Sequence, residues 1–457
     1  MGRQLGGGLL KAFATGEDQP ILADRAKVDA LYKSARLQVM VGITGGYALS
    51  YTCRLAMSVV KKPLIDQGIF NPTQLGLIGS VLFYAYAFSK LTNGFLGDHA
   101  NIKRFGAFGL LASALACMGM GLSTSVGLSM LLWGLNGWFQ GFGAPTSVVG
   151  LANWFSNQER GRFYGIWNTS HALGEGLTFI ATGAIVTAFG WRAGFFGPGI
   201  LCVGGAIGMY LLLKDRPRTY GLPAVADWRR DHAEPAGEAA VENHVRPGVF
   251  LMQLSILKQP AMWVLALASA AMYVTRYGIN SWGLLWLQET HGMTALQAGT
   301  MLGIDTFAGI LGCIAFGYIS DKLFGARRTP VNLIYGLVEL LGLALVFWGP
   351  NNWWVLATGF ALFGFGVNGL IVSIGGLFGI DICPKRVAGA ALGFVGVFSY
   401  LGAAVQDNVS GWLIQSHMTT IGKVHHYDFG PVILFWVGAS VVSLILATSL
   451  WNAKMKD

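Results

Sequence analysis

Three basic residues, Arg54, Lys90 and Arg276, stand inside long apolar stretches. A charge at the centre of a bilayer costs about 2.5 to 3.5 kcal/mol on insertion scales, so such residues face a cavity or a partner rather than lipid. Each lies beside polar aromatics. Tyr47 and Tyr51 precede Arg54 by seven and three residues, Tyr86 precedes Lys90 by four, and Tyr273 precedes Arg276 by three. These spacings set hydroxyls and cations on one helical face. Asn168, His171 and Glu175 share a face in the same way, and Tyr400 and Asp407 stand two turns apart. Paired arginines suit a tetrahedral, doubly charged oxyanion, because the planar guanidinium donates two hydrogen bonds and keeps its charge. Phosphate is the natural candidate. The competing reading is that these bases neutralise the membrane acids Glu175, Asp305, Glu339 and Asp407, and Lys90, near a helix end, has the further option of snorkelling to the interface.

The elements that hold these residues are membrane helices. Of 457 residues, 53% are hydrophobic and 12% charged, and the mean hydropathy is +0.53, which excludes a water-soluble or secreted chain. Apolar stretches of roughly 20 residues, the span of a bilayer core, recur along the chain. They predict six helices near 38–60, 74–97, 105–123, 126–155, 161–187 and 191–213. A second six follow near 259–288, 294–319, 329–349, 353–380, 386–416 and 428–452. The expected organisation is a tail over 1–37, a six-helix bundle over 38–213, a central loop over 214–258, a second bundle over 259–452 and a tail over 453–457. The first 36 residues carry no apolar segment long enough for a cleaved signal peptide.

Most of the 31 Lys and Arg residues fall in the tails and in the loops on the same side as the tails, with only Lys61, Lys62, Arg192 and Lys423 opposite. By the positive-inside rule both termini are cytoplasmic, in a cell inner membrane. The sequence pI of 9.3 therefore reports topology, and no nucleic-acid partner is expected. Cys53, Cys117, Cys202, Cys313 and Cys383 have no metal-ligand or disulfide spacing. With no catalytic constellation either, neither a cofactor nor enzymatic activity is expected.

The two halves read as a repeat. Gly94-Phe-Leu-Gly-Asp98, followed by Lys103 and Arg104, has a counterpart 223 residues later in Gly317-Tyr-Ile-Ser-Asp321, followed by Arg327 and Arg328. Arg54 and Arg276 are 222 apart, and Arg160 and Lys385 are 225 apart. Three landmarks at nearly one offset indicate homologous six-helix halves. Gly94, Asp98, Arg104, Asp321 and Arg328 are candidates for a gating latch, in which an acid pairs with a loop base in one conformation and releases it in another.

The glycine-to-acid motif, repeated after helices 2 and 8, resembles that of the major facilitator superfamily, which implies an all-α membrane fold of twelve helices in two pseudo-symmetric halves. Within it the chain resembles the organophosphate:phosphate antiporters, including hexose-phosphate, glycerol-3-phosphate and phosphoglycerate transporters. The likeness covers nearly the whole chain. It is carried by Tyr51-Thr-Cys-Arg54, Tyr86-Ala-Phe-Ser-Lys90, Gly137-Trp-Phe-Gln-Gly141, Glu159-Arg-Gly161, Trp167-Asn-Thr-Ser-His171, Tyr273-Val-Thr-Arg276 and Phe398-Ser-Tyr400. The central-loop run Gly221-Leu-Pro-Ala-Val-Ala-Asp-Trp-Arg-Arg230 resembles the hexose-phosphate branch and its sensors. Departures include His99 at a usual arginine of the first motif, Leu55 at a lysine of some relatives, Val149 at an arginine, Thr306 at a glutamate, a tenth helix without its Pro-Gln pair, Glu175 at a small residue and Asp407 as an added acid.

The resemblance implies that Arg54 and Arg276 grip phosphate between the halves, while His171, Lys90 and the tyrosines line the pocket and Glu175 and Asp407 tune coupling or specificity. The expected activity is exchange of an organic phosphate for inorganic phosphate by alternating access, in a carrier that works as a monomer within the lipid bilayer. Two alternatives are a proton-coupled anion symporter and a membrane sensor of hexose phosphate acting through a partner kinase.

Overall fold

The computed structural model describes residues 12–231, 257–325, 327–382, 388–421 and 424–451. The first six spans are α1 (Arg25–Asp66), α2 (Pro72–His99), α3 (Ile102–Met120), α4 (Val126–Gln140) continued by α5 (Gly143–Trp154), α6 (Asn157–Leu177) continued through a π-helical turn into α7 (Gly183–Phe189), and α8 (Ala193–Leu212). A short helix, α9 (Val225–Arg229), belongs to the central segment. The second six are α10 (Pro260–His291), α11 (Ala295–Leu323), α12 (Arg328–Trp348), α13 (Trp353–Val372) continued through a π turn into α14 (Phe378–Asp381), α15 (Ala388–Ser416) and α16 (Gly430–Ser449).

Helix starts repeat with the halves. Asn71 caps α2 through a reciprocal box with Gln74, and Thr294 caps α11 through the same box with Gln297. These caps are 223 residues apart, the offset of the acidic motifs. Among the described residues, eight helical segments are long and apolar enough to cross a membrane by composition alone. The spans outside that set are α1, α2, α4 with α5, and α15. Polar residues buried in α1 include Arg54 and Lys61, and in α15 Gln406 and Asp407. Buried polar residues of this kind lower the hydropathy of α1 and α15, whereas α4 and α5 are each too short because their span is broken.

Four features differ from the sequence expectation. The first helix, predicted over 38–60, extends to Asp66 at one end and back to Arg25 at the other, where Asp24 accepts from the N–H groups of Ala26 and Lys27. Lys61 and Lys62, assigned to a loop, are therefore helical. The fourth span breaks at Gly141 and Phe142, where Gly141 lies so close to Ser89 of α2 that a side chain would collide. A β-hairpin, β1 (Met418–Ile421) against β2 (Val424–Tyr427), fills the connection before α16. Part of the expected central loop over 214–258 is packed structure. Trp228 of α9 stacks on Tyr32 at 4.2 Å and its indole donates to Asp29 at 2.6 Å, while Asp231 accepts from the Gln158 backbone and side chain at 3.1 Å.

In the second motif, Arg328 donates to Asp321 at 2.9 Å and to Ser320 at 2.8 Å. In the first, Arg104 donates to the Ala12 carbonyl at 3.1 Å. Gly94 and Asp98 lie in the last two turns of α2, and their side chains, like Lys385 and Cys383 altogether, are outside the described residues.

Small residues bring the helices together. α6 crosses α1 where Gly174 meets the Ala48 carbonyl with no room for a methyl group. Gly174→Val is expected to lower the unfolding midpoint in detergent, in keeping with about 1 to 3 kcal/mol of overpacking. Gly208→Ala, where nothing lies within 4 Å, is expected to leave the midpoint in place. Thermal unfolding followed by tryptophan fluorescence checks both.

Candidate functional site

α1 and α10, the first helices of the two halves, pack in contact, and each carries one of the two arginines. Arg54 is 3% exposed. Its Nε donates to Gln140 Oε1 at 2.7 Å, and Gln140 is held in turn by the Ser50 carbonyl and Asn136. The guanidinium lies between two rings, 4.4 Å from the Tyr51 centroid and 4.5 Å from that of Tyr86. Its terminal nitrogens, though in electrostatic reach of the tyrosine oxygens, have no acceptor in hydrogen-bonding geometry among the described residues. Leaving a charged buried donor unmatched costs more than the roughly 1 to 3 kcal/mol of a neutral one, so this is a group poised for an anion.

Lys90, half-buried, sets its ammonium 5.6 Å from the Tyr86 ring and 4.9 Å from the Tyr400 ring. Tyr86 and Tyr400 pack at 4.6 Å across the halves, and Tyr400 meets Tyr273 at 5.5 Å. Arg54, Lys90, Tyr51, Tyr86, Tyr273 and Tyr400 are thus one connected group. His171 joins its edge through Tyr51 at 5.4 Å and Tyr47 at 4.9 Å, with Nδ1 on the Asn168 carbonyl at 2.9 Å.

Arg276 differs from its symmetry mate. Its Nη2 donates to Glu175 Oε1 at 2.7 Å, and Asn280 Nδ2 donates to the same oxygen at 3.3 Å. Among the described residues Arg54 therefore has no acidic partner, whereas Arg276 is paired with a membrane acid. The reason is geometric: Glu175 leaves α6 one turn before the π segment and faces α10 across the halves.

Asp407 lies outside the central group. It accepts from Lys61 at 3.2 Å, Ser281 at 2.7 Å and the Trp282 indole at 2.6 Å. Lys61 is fully buried, its ammonium 3.4 Å from the Trp282 centroid. This pair joins α1 to α15 near the end of the bundle remote from the termini. Gly76, Gly79 and Gly411 bring α2 onto α15 beside it, with a side chain excluded at each. Lys62 pairs with Glu289 and, at 3.2 Å, with Asp66. On the other flank Gly183 and Gly299 bring α7 and the π turn against α11. These contacts close the halves on one another at that end, and Arg54 and Asp407 both line a small void of about 10 Å³.

Residues not singled out from sequence also belong here. Gln140 sits inside the quoted Gly137–Gly141 run. Tyr277 and Asn280 follow Arg276 by one and four residues, and only the second spacing placed a polar group on the same face. Glu339 lies apart, accepting from Ser440 at 2.8 Å.

The Major Facilitator Superfamily model matches residues 43–406. The membrane sensor protein UhpC of Salmonella typhimurium is 34% identical over 96% of this chain and 97% of its own length. A probable hexose phosphate transport protein of Chlamydia pneumoniae is 33% identical over 95% of both, and a glycerol-3-phosphate transporter of Haemophilus influenzae is 29% identical over 92% of both. Among solved structures, a bacterial homolog of the human lysosomal transporter Spinster superposes with a TM-score of 0.72 at 16% identity, covering 93% of this chain and 99% of that one.

Removing one member of a buried ion pair strands the other, at about 3 to 5 kcal/mol, whereas replacing both with apolar groups is often near neutral. Lys61→Met is thus expected to lower the unfolding midpoint, and Lys61→Met combined with Asp407→Leu to recover most of the loss. A double mutant no more stable than the worse single mutant would contradict the pairing.

Proposed function

This chain belongs to the major facilitator superfamily, and from that premise we propose that it moves an organic phosphate across a bacterial inner membrane in exchange for inorganic phosphate. The observation that carries the reading is Arg54, a buried guanidinium with two uncommitted nitrogens held between Tyr51 and Tyr86, with Lys90 beside the same ring. Phosphoryl oxygens supply the acceptors those nitrogens lack. The relatives named for hexose phosphate and glycerol-3-phosphate transport support the substrate class.

Both termini lie on the cytoplasmic side in this reading, as the basic residues require. The sealed end then faces outward, and transport needs the Lys61–Asp407 contact to part while the opposite face closes. The two halves rock about the central tyrosines, exposing Arg54 to one side at a time. An occluded Arg54 without an anion is an uncompensated charge in a poorly screened site, so a bound phosphate favours the closed intermediate. That preference couples outward movement of one phosphate to inward movement of another. The carrier works as a monomer.

A second reading, a membrane sensor acting through a partner kinase, is favoured by the match to a sensor protein and by the packed central segment. α9 borders a groove of about 530 Å³ with Lys33, Leu37 and Phe163 on the face bearing the termini.

Proteoliposomes preloaded with phosphate are expected to take up labelled phosphate rapidly, with Arg54→Ala reducing the rate by about a hundredfold or more, as loss of a charged contact of 2.7 kcal/mol or greater implies. Liposomes without internal anion should accumulate little. Binding of hexose phosphate without exchange by a folded wild type would favour the sensor. Equal uptake with and without internal phosphate would contradict the exchange.

A further inference from the structure

Four charges surround the tyrosine group: Arg54, Lys90 and Arg276 are positive and Glu175 is negative. With Glu175 bound to Arg276, two positive charges remain, and a phosphomonoester dianion balances them. Drawing Arg276 onto the phosphate would instead strand Glu175, 3% exposed, as an unpaired carboxylate in the membrane interior. The phosphoryl group therefore belongs on Arg54 and Lys90, and the Arg276–Glu175 pair stays closed beside it.

What remains unmatched near that pair is complementary to something other than phosphate. Asn280 Oδ1 and the Tyr277 hydroxyl are buried and have no hydrogen-bond partner among the described residues. A carbonyl oxygen and a carboxylate accept hydrogen bonds, and the tyrosine hydroxyl both donates and accepts. Sugar-type hydroxyls supply donors to such a cluster. A second carboxylate on the substrate supplies none and meets Glu175 as a like charge.

We propose that Glu175, held by Arg276 and Asn280, determines specificity for the organic part of the substrate, accepting from its hydroxyls and rejecting phosphomonoesters that carry a carboxylate. This rests on the phosphate-transport reading and assigns a residue role within it. Specificity arises here from an attractive and a repulsive element together. Asn280 takes part in the first only.

The test is competition against labelled inorganic phosphate by glucose 6-phosphate and by 3-phosphoglycerate, expressed as the ratio of their inhibition constants so that each variant is its own reference. The wild type should favour glucose 6-phosphate. Glu175→Gln, which still accepts from Arg276, should move the ratio about tenfold or more toward 3-phosphoglycerate by relieving like-charge repulsion. Asn280→Leu should weaken glucose 6-phosphate alone, and Glu175→Asp should keep the wild-type order. Where a variant no longer exchanges, the ligand-induced shift of its unfolding midpoint reads the same ratio. A ratio within about twofold of wild type in Glu175→Gln, equal loss of both competitors, or the same shift in Glu175→Asp would overturn the proposal. A wild type on which phosphate has no effect in either assay would overturn the transport reading and this inference with it.

Discussion

A guanidinium or ammonium group in a bilayer needs a counter-charge, and much of this molecule is arranged around how each buried cation obtains one. Lys61 has Asp407, Arg276 has Glu175, and Arg54, among the described residues, has tyrosines and a single amide oxygen but no acid. The first pair closes one end of the bundle, the second ties the halves together at mid-depth, and the third residue is the one we propose receives an external anion. The proposed function rests on that inequality between otherwise symmetric positions.

The glycines make these contacts attainable. Coulombic gain inside a membrane depends on excluding water and on short distances, and both require helices to approach to backbone contact. Gly76 and Gly79 against α15, and Gly299 against the π turn after α6, are places where a side chain would hold the halves apart, and Gly174 against α1 plays the same part within the first half. The π turn over Thr178–Thr182 lies next to Glu175, and an irregular turn is a usual accompaniment of a functional position in a helix.

The sequence shows the repeat and the central group clearly because they depend on local spacing. Arg54, Tyr51 and Tyr47 lie on one helix, as do Lys90 and Tyr86, and the shared offset of the two acidic motifs marks the halves. Pairings between distant helices are not encoded that way. Lys61 reads as a loop residue because a hydropathy window ends where a lysine appears, and only its partner, 346 positions away, allows the helix to continue. Asp407 reads as a coupling or specificity residue because it shares a helix with Tyr400, although two turns carry it from the central group to the Lys61 contact. The loss of symmetry between Arg54 and Arg276 is visible in sequence only as an unexpected Glu175, whose direction depends on how α6 packs.

The most direct measurement is an experimental structure with a hexose phosphate bound. The account predicts the phosphoryl group against the terminal nitrogens of Arg54, near Lys90, with Arg276 still on Glu175 and the organic hydroxyls toward Glu175 and Asn280. A phosphoryl group shared equally by Arg54 and Arg276, with Glu175 displaced, would contradict it.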